Sequence, residues 1–387
     1  MGFRVRVSMA FTSIAILVLS ALGLVAPTAA TAAMAGDVLA AQRVTVYLVP
    51  GQLLKVPVNA WKILYHSTSA TGTANQVSGL LLVPKAGYSG TRPIIGYAIG
   101  THGLGDQCAP SNQMQAGTDP ELALVSLLLA RGWAVAVTDY EGLGTPGDHT
   151  YMAGVSQGRA VLDSIRAAAR VPGSGLSAGA PVGIVGYSQG GSSAAWAAQL
   201  QPAYAPDLKL RGVAAGGVPA DLRQVAENVD GTDNFGLAAA AGIGLDAAYP
   251  ELRLDDYLTP EATELFDDVR DDCLSAINEK TAGRRLADLT TANVLALPAW
   301  QARLAETRIG GIAPRAPIYL FHAKGDEIIP ASVGDTLRRE WCAQGARVLW
   351  TKLPAPSHVL GAVGGTPLAV QWLAHRFAGL PTLSNCP

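Results

Sequence analysis

The chain has 387 residues, 49% of them hydrophobic, and a formal net charge of -2. A long chain of this composition can bury a sizeable core and is not disordered by composition. Its near-neutral charge comes without a basic block, aromatic–basic interleaving or zinc-finger spacing, so nothing points to a nucleic-acid partner.

Taken in chain order, the first feature is an export-like segment. Arg4 and Arg6 form a short positive region, residues 9–26 are an uncharged apolar run, and Pro27 breaks it. Ala30-Thr31-Ala32 and Ala33-Met34-Ala35 are small-x-small cleavage candidates. Residues 1–35 therefore read as a secretory signal peptide, the alternative being an uncleaved membrane anchor. No later stretch is long and apolar enough to span a bilayer.

Apolar runs bounded by turn residues then recur at 61–67, 77–83, 93–99, 134–138, 182–185, 210–215, 318–322 and 348–352, and are read as strands. Helical stretches lie between the later ones, at 120–131, 155–170, 188–201, 332–344 and 367–377. In 155–170, Val161, Leu162, Ile165 and Ala169 share one face, with Arg159, Asp163 and Arg166 off it. Strands alternating with helices predict an α/β fold with a mostly parallel sheet covered on both faces. In such sheets the ligand lies beyond the strand C-termini.

Residues 219–312 break the alternation. Thr259-Pro260-Glu261 reads as a helix start. The predicted helix carries Leu265, Val269, Cys273 and Ile277 on one stripe, and 235–249, 285–289 and 299–307 also read as helical. Without this insert and the signal segment roughly 260 residues remain, a plausible size for one core. The expected organisation is a catalytic α/β domain, 36–218 and 313–387, with a helical cap at 219–312.

The segment with most chemistry is Gly186-Tyr187-Ser188-Gln189-Gly190, after the apolar run 181–185 and before a small-residue helical stretch. A G-x-S-x-G turn between strand and helix raises its serine off the end of a sheet, and its glycines allow close backbone packing. This predicts an α/β-hydrolase fold with Ser188 as nucleophile. A serine hydroxyl needs a base, and the base an orienting carboxylate, in the chain order Ser, Asp or Glu, His.

Three histidines follow Ser188. His322 lies inside an apolar strand and His375 in the terminal helix, so both read as structural. His358 lies in a Pro/Gly-rich loop directly after the strand at 348–352, where the mechanism needs its base. Asp326, in the loop after the strand at 318–322, is the expected acid; Glu327 is the weaker alternative and Asp335 is already in the next helix. The oxyanion hole should use the N–H of Gln189 plus one from Gly100-Thr101-His102-Gly103-Leu104-Gly105, with Thr101, His102 and Leu104 as candidates. His102 has no second ligand in sight for a metal, and no C-x-x-C or nearby histidine pair occurs. Neither metal nor cofactor is expected. The four cysteines, Cys108, Cys273, Cys342 and Cys386, suggest two disulfides in an exported protein, with three connectivities open.

Several motifs together resemble the secretory lipase family, the bacterial secreted lipases related to fungal lipase A. They are Thr138-Asp139-Tyr140-Glu141-Gly142-Leu143-Gly144, Cys108-Ala109-Pro110-Ser111, the Ser188 pentapeptide, Gly217-Val218-Pro219-Ala220-Asp221-Leu222 and Gly325-Asp326. The resemblance runs from about residue 44 to the end. It implies Ser188, Asp326 and His358 as a triad, and 219–312 as a helical lid over an acyl-binding pocket. It also implies the pairs Cys108–Cys273 and Cys342–Cys386. The fungal relatives have a side-chain carboxylate in the oxyanion region, where this chain reads Thr101-His102-Gly103.

The expected activity is hydrolysis of lipid or other acyl esters by a secreted enzyme, with no nucleic-acid or obligate protein partner. The alternatives are an acyltransferase or peptidase with the same triad, or a non-catalytic binding protein.

Overall fold

Nine strands form one sheet in the order β1-β2-β3-β5-β4-β6-β7-β8-β9, among the residues described by this computed structural model, which are 1–4, 6 and 34–386. They are β1 (Val38–Val44), β2 (Val58–Thr68), β3 (Ala74–Pro84), β4 (Ile94–Ala98), β5 (Ala134–Tyr140), β6 (Pro181–Tyr187), β7 (Lys209–Gly216), β8 (Ile318–Ala323) and β9 (Val348–Leu353). Contacts divide the chain into Met1–Ala33 and Met34–Pro387, and the fold belongs to the second unit. The expected signal peptide falls almost wholly outside the described residues. Among the described residues no helix is long and apolar enough to cross a membrane.

The pairings of β1 with β2, β2 with β3 and β3 with β5 are antiparallel; β5, β4, β6, β7, β8 and β9 run parallel. The parallel strands read as continuous apolar runs because helices cover both faces: β4, β5 and β8 are buried throughout. The strand missed by periodicity is β1, an edge strand exposed along most of its length and so without an apolar alternation to find.

The helices are α1 (Pro110–Ala116), α2 (Leu122–Leu129), α3 (Gly154–Arg170), α4 (Gln189–Tyr204), α5 (Leu222–Val229), α6 (Gly236–Ala248), α7 (Pro260–Val269), α8 (Leu274–Thr281), α9 (Leu286–Leu289), α10 (Pro298–Thr307), α11 (Ala331–Ala343) and α12 (His358–Phe377). The pair α3 and α4 packs together against the sheet, and α12 lies on β6, β7 and β8 beside α2. The chain leaves β4 for β5 on one side and returns to β6 on the other. The loops after β4 and β6 therefore meet at a point where the strand order reverses, the usual place for a ligand in such sheets.

The β7–β8 connection holds α5 to α10 and a second apolar cluster, which includes Phe235, Ile243, Phe266, Ile277 and Trp300. Two predicted helices differ here and at the C-terminus. The stripe Leu265–Ile277 is two helices, because Cys273 leaves the helical path at the start of α8 to bond Cys108. The last helix begins at His358, not 367. The glycines that made 358–366 look loop-like are contact points: a Cβ on Gly361 would lie 2.2 Å from the Tyr187 hydroxyl, and one on Gly365 2.2 Å from the Phe321 ring. The second disulfide, Cys342–Cys386, holds the C-terminal segment beside β9, where Asn385 bonds Val348 and Trp350.

Candidate active site

Ser188 is held by backbone sterics. It joins β6 to α4 with φ 60° and ψ −124°, a conformation uncommon for a non-glycine residue. A Cβ on Gly186 would lie 2.1 Å from the Gly190 carbonyl oxygen, and one on Gly190 2.0 Å from that of Ala98. The turn can therefore close against β4 only with glycine at both positions. The Ser188 N–H donates to the Gly216 carbonyl at 3.0 Å. Gln189 starts α4, so its N–H is one of the first-turn donors that have no carbonyl within the helix.

Asp326 and His358 meet through hydrogen bonds. His358 Nδ1 lies 2.8 Å from Asp326 Oδ2. Oδ1 of the same carboxylate accepts the Ile328 and Ile329 N–H groups at 3.1 and 2.8 Å. Burial works to raise the Asp326 pKa, but the hydrogen bonds from His322 and His358 outweigh it and hold the carboxyl well below the usual carboxylate range. An ionised Asp326 can only accept, so His358 Nδ1 carries a hydrogen and donates it, leaving Nε2 as the ring nitrogen turned away from the carboxylate.

His358 is not in a loop, as expected from sequence, but is the first residue of α12, with Ser357 as N-cap accepting from Leu360 N–H at 3.3 Å. Its backbone N–H donates to Glu327 Oε2 at 2.8 Å. Glu327, the alternative acid, thus holds the backbone of the histidine while Asp326 holds its ring. Tyr187, the residue before Ser188, donates its hydroxyl to the His358 carbonyl at 2.8 Å, and the two rings are 4.9 Å apart. The Asp326–His358 pair is thereby packed against the Ser188 turn.

The loop after β4 rests on a buried polar network. Glu121 accepts the Gly100 N–H at 2.8 Å and the Tyr97 hydroxyl at 2.7 Å. His102 places Nδ1 2.9 Å from the Gly100 carbonyl and Nε2 3.0 Å from Asp119 Oδ2. Both neighbours are acceptors, so both ring nitrogens carry hydrogens. Burial works to lower the His102 pKa, yet Asp119 outweighs it and pushes the group up to about 9. The Thr101 hydroxyl meets that of Tyr151 at 2.8 Å. Leu104 does not fit the role of oxyanion donor: its N–H already donates to the Asp272 carbonyl at 2.9 Å. Sequence spacing could not anticipate this partner, 168 positions away.

Cys108 and Cys273 are bonded, as are Cys342 and Cys386. These are the pairs implied by the resemblance. His149, which sequence reasoning passed over because it precedes Ser188, is buried beside the site. Burial lowers its pKa to about 4, Nδ1 faces the Glu141 carbonyl at 2.8 Å, and Nε2 lies 3.5 Å from Gln189 Nε2.

The secretory lipase profile matches residues 109–385. The chain belongs to the secretory lipase family. A probable inactive lipase from Mycobacterium tuberculosis is 30% identical over 85% of this chain and 76% of its own length. A secreted triacylglycerol lipase from Malassezia globosa is 29% identical over 93% and 79%. Among solved structures, Candida antarctica lipase A in its closed state superposes with a TM-score of 0.83 at 23% identity, covering 91% of this chain and 84% of that one. A rice cell wall degrading esterase from Xanthomonas oryzae gives 0.72 at 20% identity, covering 89% and 98%. These likenesses establish the α/β-hydrolase fold, and membership of the secretory lipase family supports lipase or esterase activity.

In this member of the family a cavity of about 50 Å³ opens at Ser188 and Gln189. Its walls are mostly apolar: Leu222, Val225 and Val229 of α5, Leu237 and Ala238 of α6, and Ile328 and Ile329 beside Asp326. A larger cavity of about 480 Å³ lies among α5, α6 and residues 286–295, and Ala226 and Ala238 line both.

Proposed function

We propose that the protein is a secreted serine ester hydrolase that acts on acyl esters, acylglycerols among them, through Ser188, His358 and Asp326. The observation that carries this reading is the 2.8 Å contact between His358 Nδ1 and an ionised Asp326, packed against the turn that exposes Ser188. Ser188 Oγ attacks the ester carbonyl carbon and its proton passes to His358 Nε2. The developing oxyanion is met by the N–H groups of Gln189 and Thr101. His358 then protonates the departing alcohol, leaving an acyl group on Ser188. Water, deprotonated by the same imidazole, attacks that ester and releases the acid and free Ser188. None of these steps needs a cofactor.

The β7–β8 connection acts as a helical cap. It supplies most of the apolar wall at Ser188, which favours an acyl chain and excludes water from the acyl-enzyme. Extracellular action fits the family and the signal-like segment at 1–35. The test is turnover of a short p-nitrophenyl ester. Wild-type protein should hydrolyse it, and Ser188→Ala should lose on the order of 10⁶-fold in kcat. Full activity in the variant would end this reading. A second reading, a non-catalytic binding protein, is favoured by the mycobacterial relative described as probably inactive; turnover by the wild-type protein disposes of it.

A further inference from the structure

His322 has the place in the sequence of a packing residue, within the apolar strand β8, and its ring is fully buried. A buried imidazole still has to satisfy two nitrogens, and here they face different surroundings. Nδ1 has no hydrogen-bond partner among the described residues. It faces Gly334 of α11, where even a Cβ would come within 2.7 Å of it. A proton there would be a buried, unmet donor, so Nδ1 carries the lone pair and Nε2 the hydrogen. That Nε2 lies 2.8 Å from the Ile329 carbonyl and 3.3 Å from Asp326 Oδ2. The single N–H therefore points into the turn that carries the acid, between its first and last residues.

The Asp326 carboxylate has about four acceptor positions. Oδ1 takes the amides of Ile328 and Ile329, and Oδ2 takes His358 Nδ1 with His322 Nε2 beside it. We propose that His322 is a positioning residue: its Nε2–H closes the 326–329 turn and fixes Asp326 Oδ2 on the ring of His358. This rests on the triad reading above. It assigns the acid two imidazoles with different tasks: His358 meets substrate, and His322 acts only through Asp326. Without His322 the Ile329 carbonyl loses its donor and one side of Oδ2 is left empty, so the carboxylate can turn away from His358.

The test compares His322→Leu, which fills the site without a donor, with His322→Gln, whose side-chain N–H reaches about as far as Nε2. Two quantities are measured: kcat and KM for a soluble ester, and the downfield proton NMR signal of His358 Nδ1–H, which needs no substrate. His322→Leu should lower kcat about 30-fold with KM little changed, a size typical of one buried donor to a reacting network. It should also shift or broaden the Nδ1 signal, and His322→Gln should restore both. A His322→Leu protein with wild-type kcat and an unaltered signal, whatever its melting temperature, overturns the proposal. If His322→Leu does not fold, His322→Asn replaces it, because its shorter amide cannot reach the turn. Equal kcat and equal signals in the Asn and Gln variants would then be the contradicting result. Should the wild-type protein hydrolyse no ester, the triad reading fails, and the Nδ1 signal alone still decides what His322 holds.

Discussion

The two halves of the site are built differently. The Ser188 turn is shaped by close backbone contacts: Gly186 and Gly190 are needed because carbonyl oxygens stand about 2 Å from where their Cβ atoms would be. The half around Asp326 and His358 is held by side-chain hydrogen bonds that converge from distant elements. Asp326 and Glu327 grip the ring and backbone of His358, His322 approaches from β8, and Asn228 of α5 donates to the Glu327 and Ile328 carbonyls at 2.9 and 3.0 Å. A steric constraint leaves its mark on adjacent residues, whereas a hydrogen-bonded one is spread over the chain. The first half should therefore fail by unfolding and the second by losing rate.

The largest expected effect on that contrast is at Asp326. Asp326→Asn should lower kcat by about 10⁴-fold with little change in melting temperature, because an amide donates to His358 Nδ1 and forces the wrong tautomer. Loss of the fold with retention of rate would reverse the assignment. Gly190→Ala should do the opposite: denaturant unfolding should show a loss of about 4 kcal/mol or more, since the new Cβ meets backbone and cannot be accommodated by rotating a side chain. A stable Gly190→Ala protein would show that the turn has slack.

The loop after β4 combines both kinds of support, and pH separates them. His102 has a folded pKa raised from 6.5 to about 9. Its contribution is fully present below pH 6.5 and is lost as pH rises through 9. Linkage puts that contribution at about 3 kcal/mol. Melting measured from pH 6.5 to 9.5 should show this loss in the wild-type protein, and His102→Gln should flatten it. An identical pH profile in the variant would mean that His102 is not charged in the fold. The smallest expected effect is at Glu327. Glu327→Gln keeps an acceptor for the His358 N–H and should stay within about threefold of wild-type kcat, whereas Glu327→Ala should lose about tenfold. A Gln variant as damaged as Asp326→Asn would make Glu327 the acid.

Much of this molecule was legible in its sequence. The strands β2 to β9 are found where apolar runs met turn residues, and the Ser188 turn follows from five residues and their flanks. Asp326 and His358 stood out because each follows a late strand. What stayed hidden has a common physical cause. His322 and His149 look like core residues until their ring nitrogens are seen against carbonyl and carboxylate partners. Asp119 and Glu121 carry no motif, yet they hold the loop at Gly100 and His102 from below. Leu104 was a fair candidate by spacing, and the Asp272 carbonyl that occupies its amide comes from the far side of the disulfide. Glycines misled where they served contact: those of α12 made its first turns look like a loop.

Every step of the proposed hydrolysis depends on Ser188 being the nucleophile activated by His358. This is tested most directly with a p-nitrophenyl alkylphosphonate, followed by intact-mass and peptide mass spectrometry. One equivalent of p-nitrophenol and a single adduct on Ser188 are expected, with Ser188→Ala unlabelled and His358→Ala labelled far more slowly. An adduct on another residue, or equal labelling of the His358→Ala protein, would contradict it.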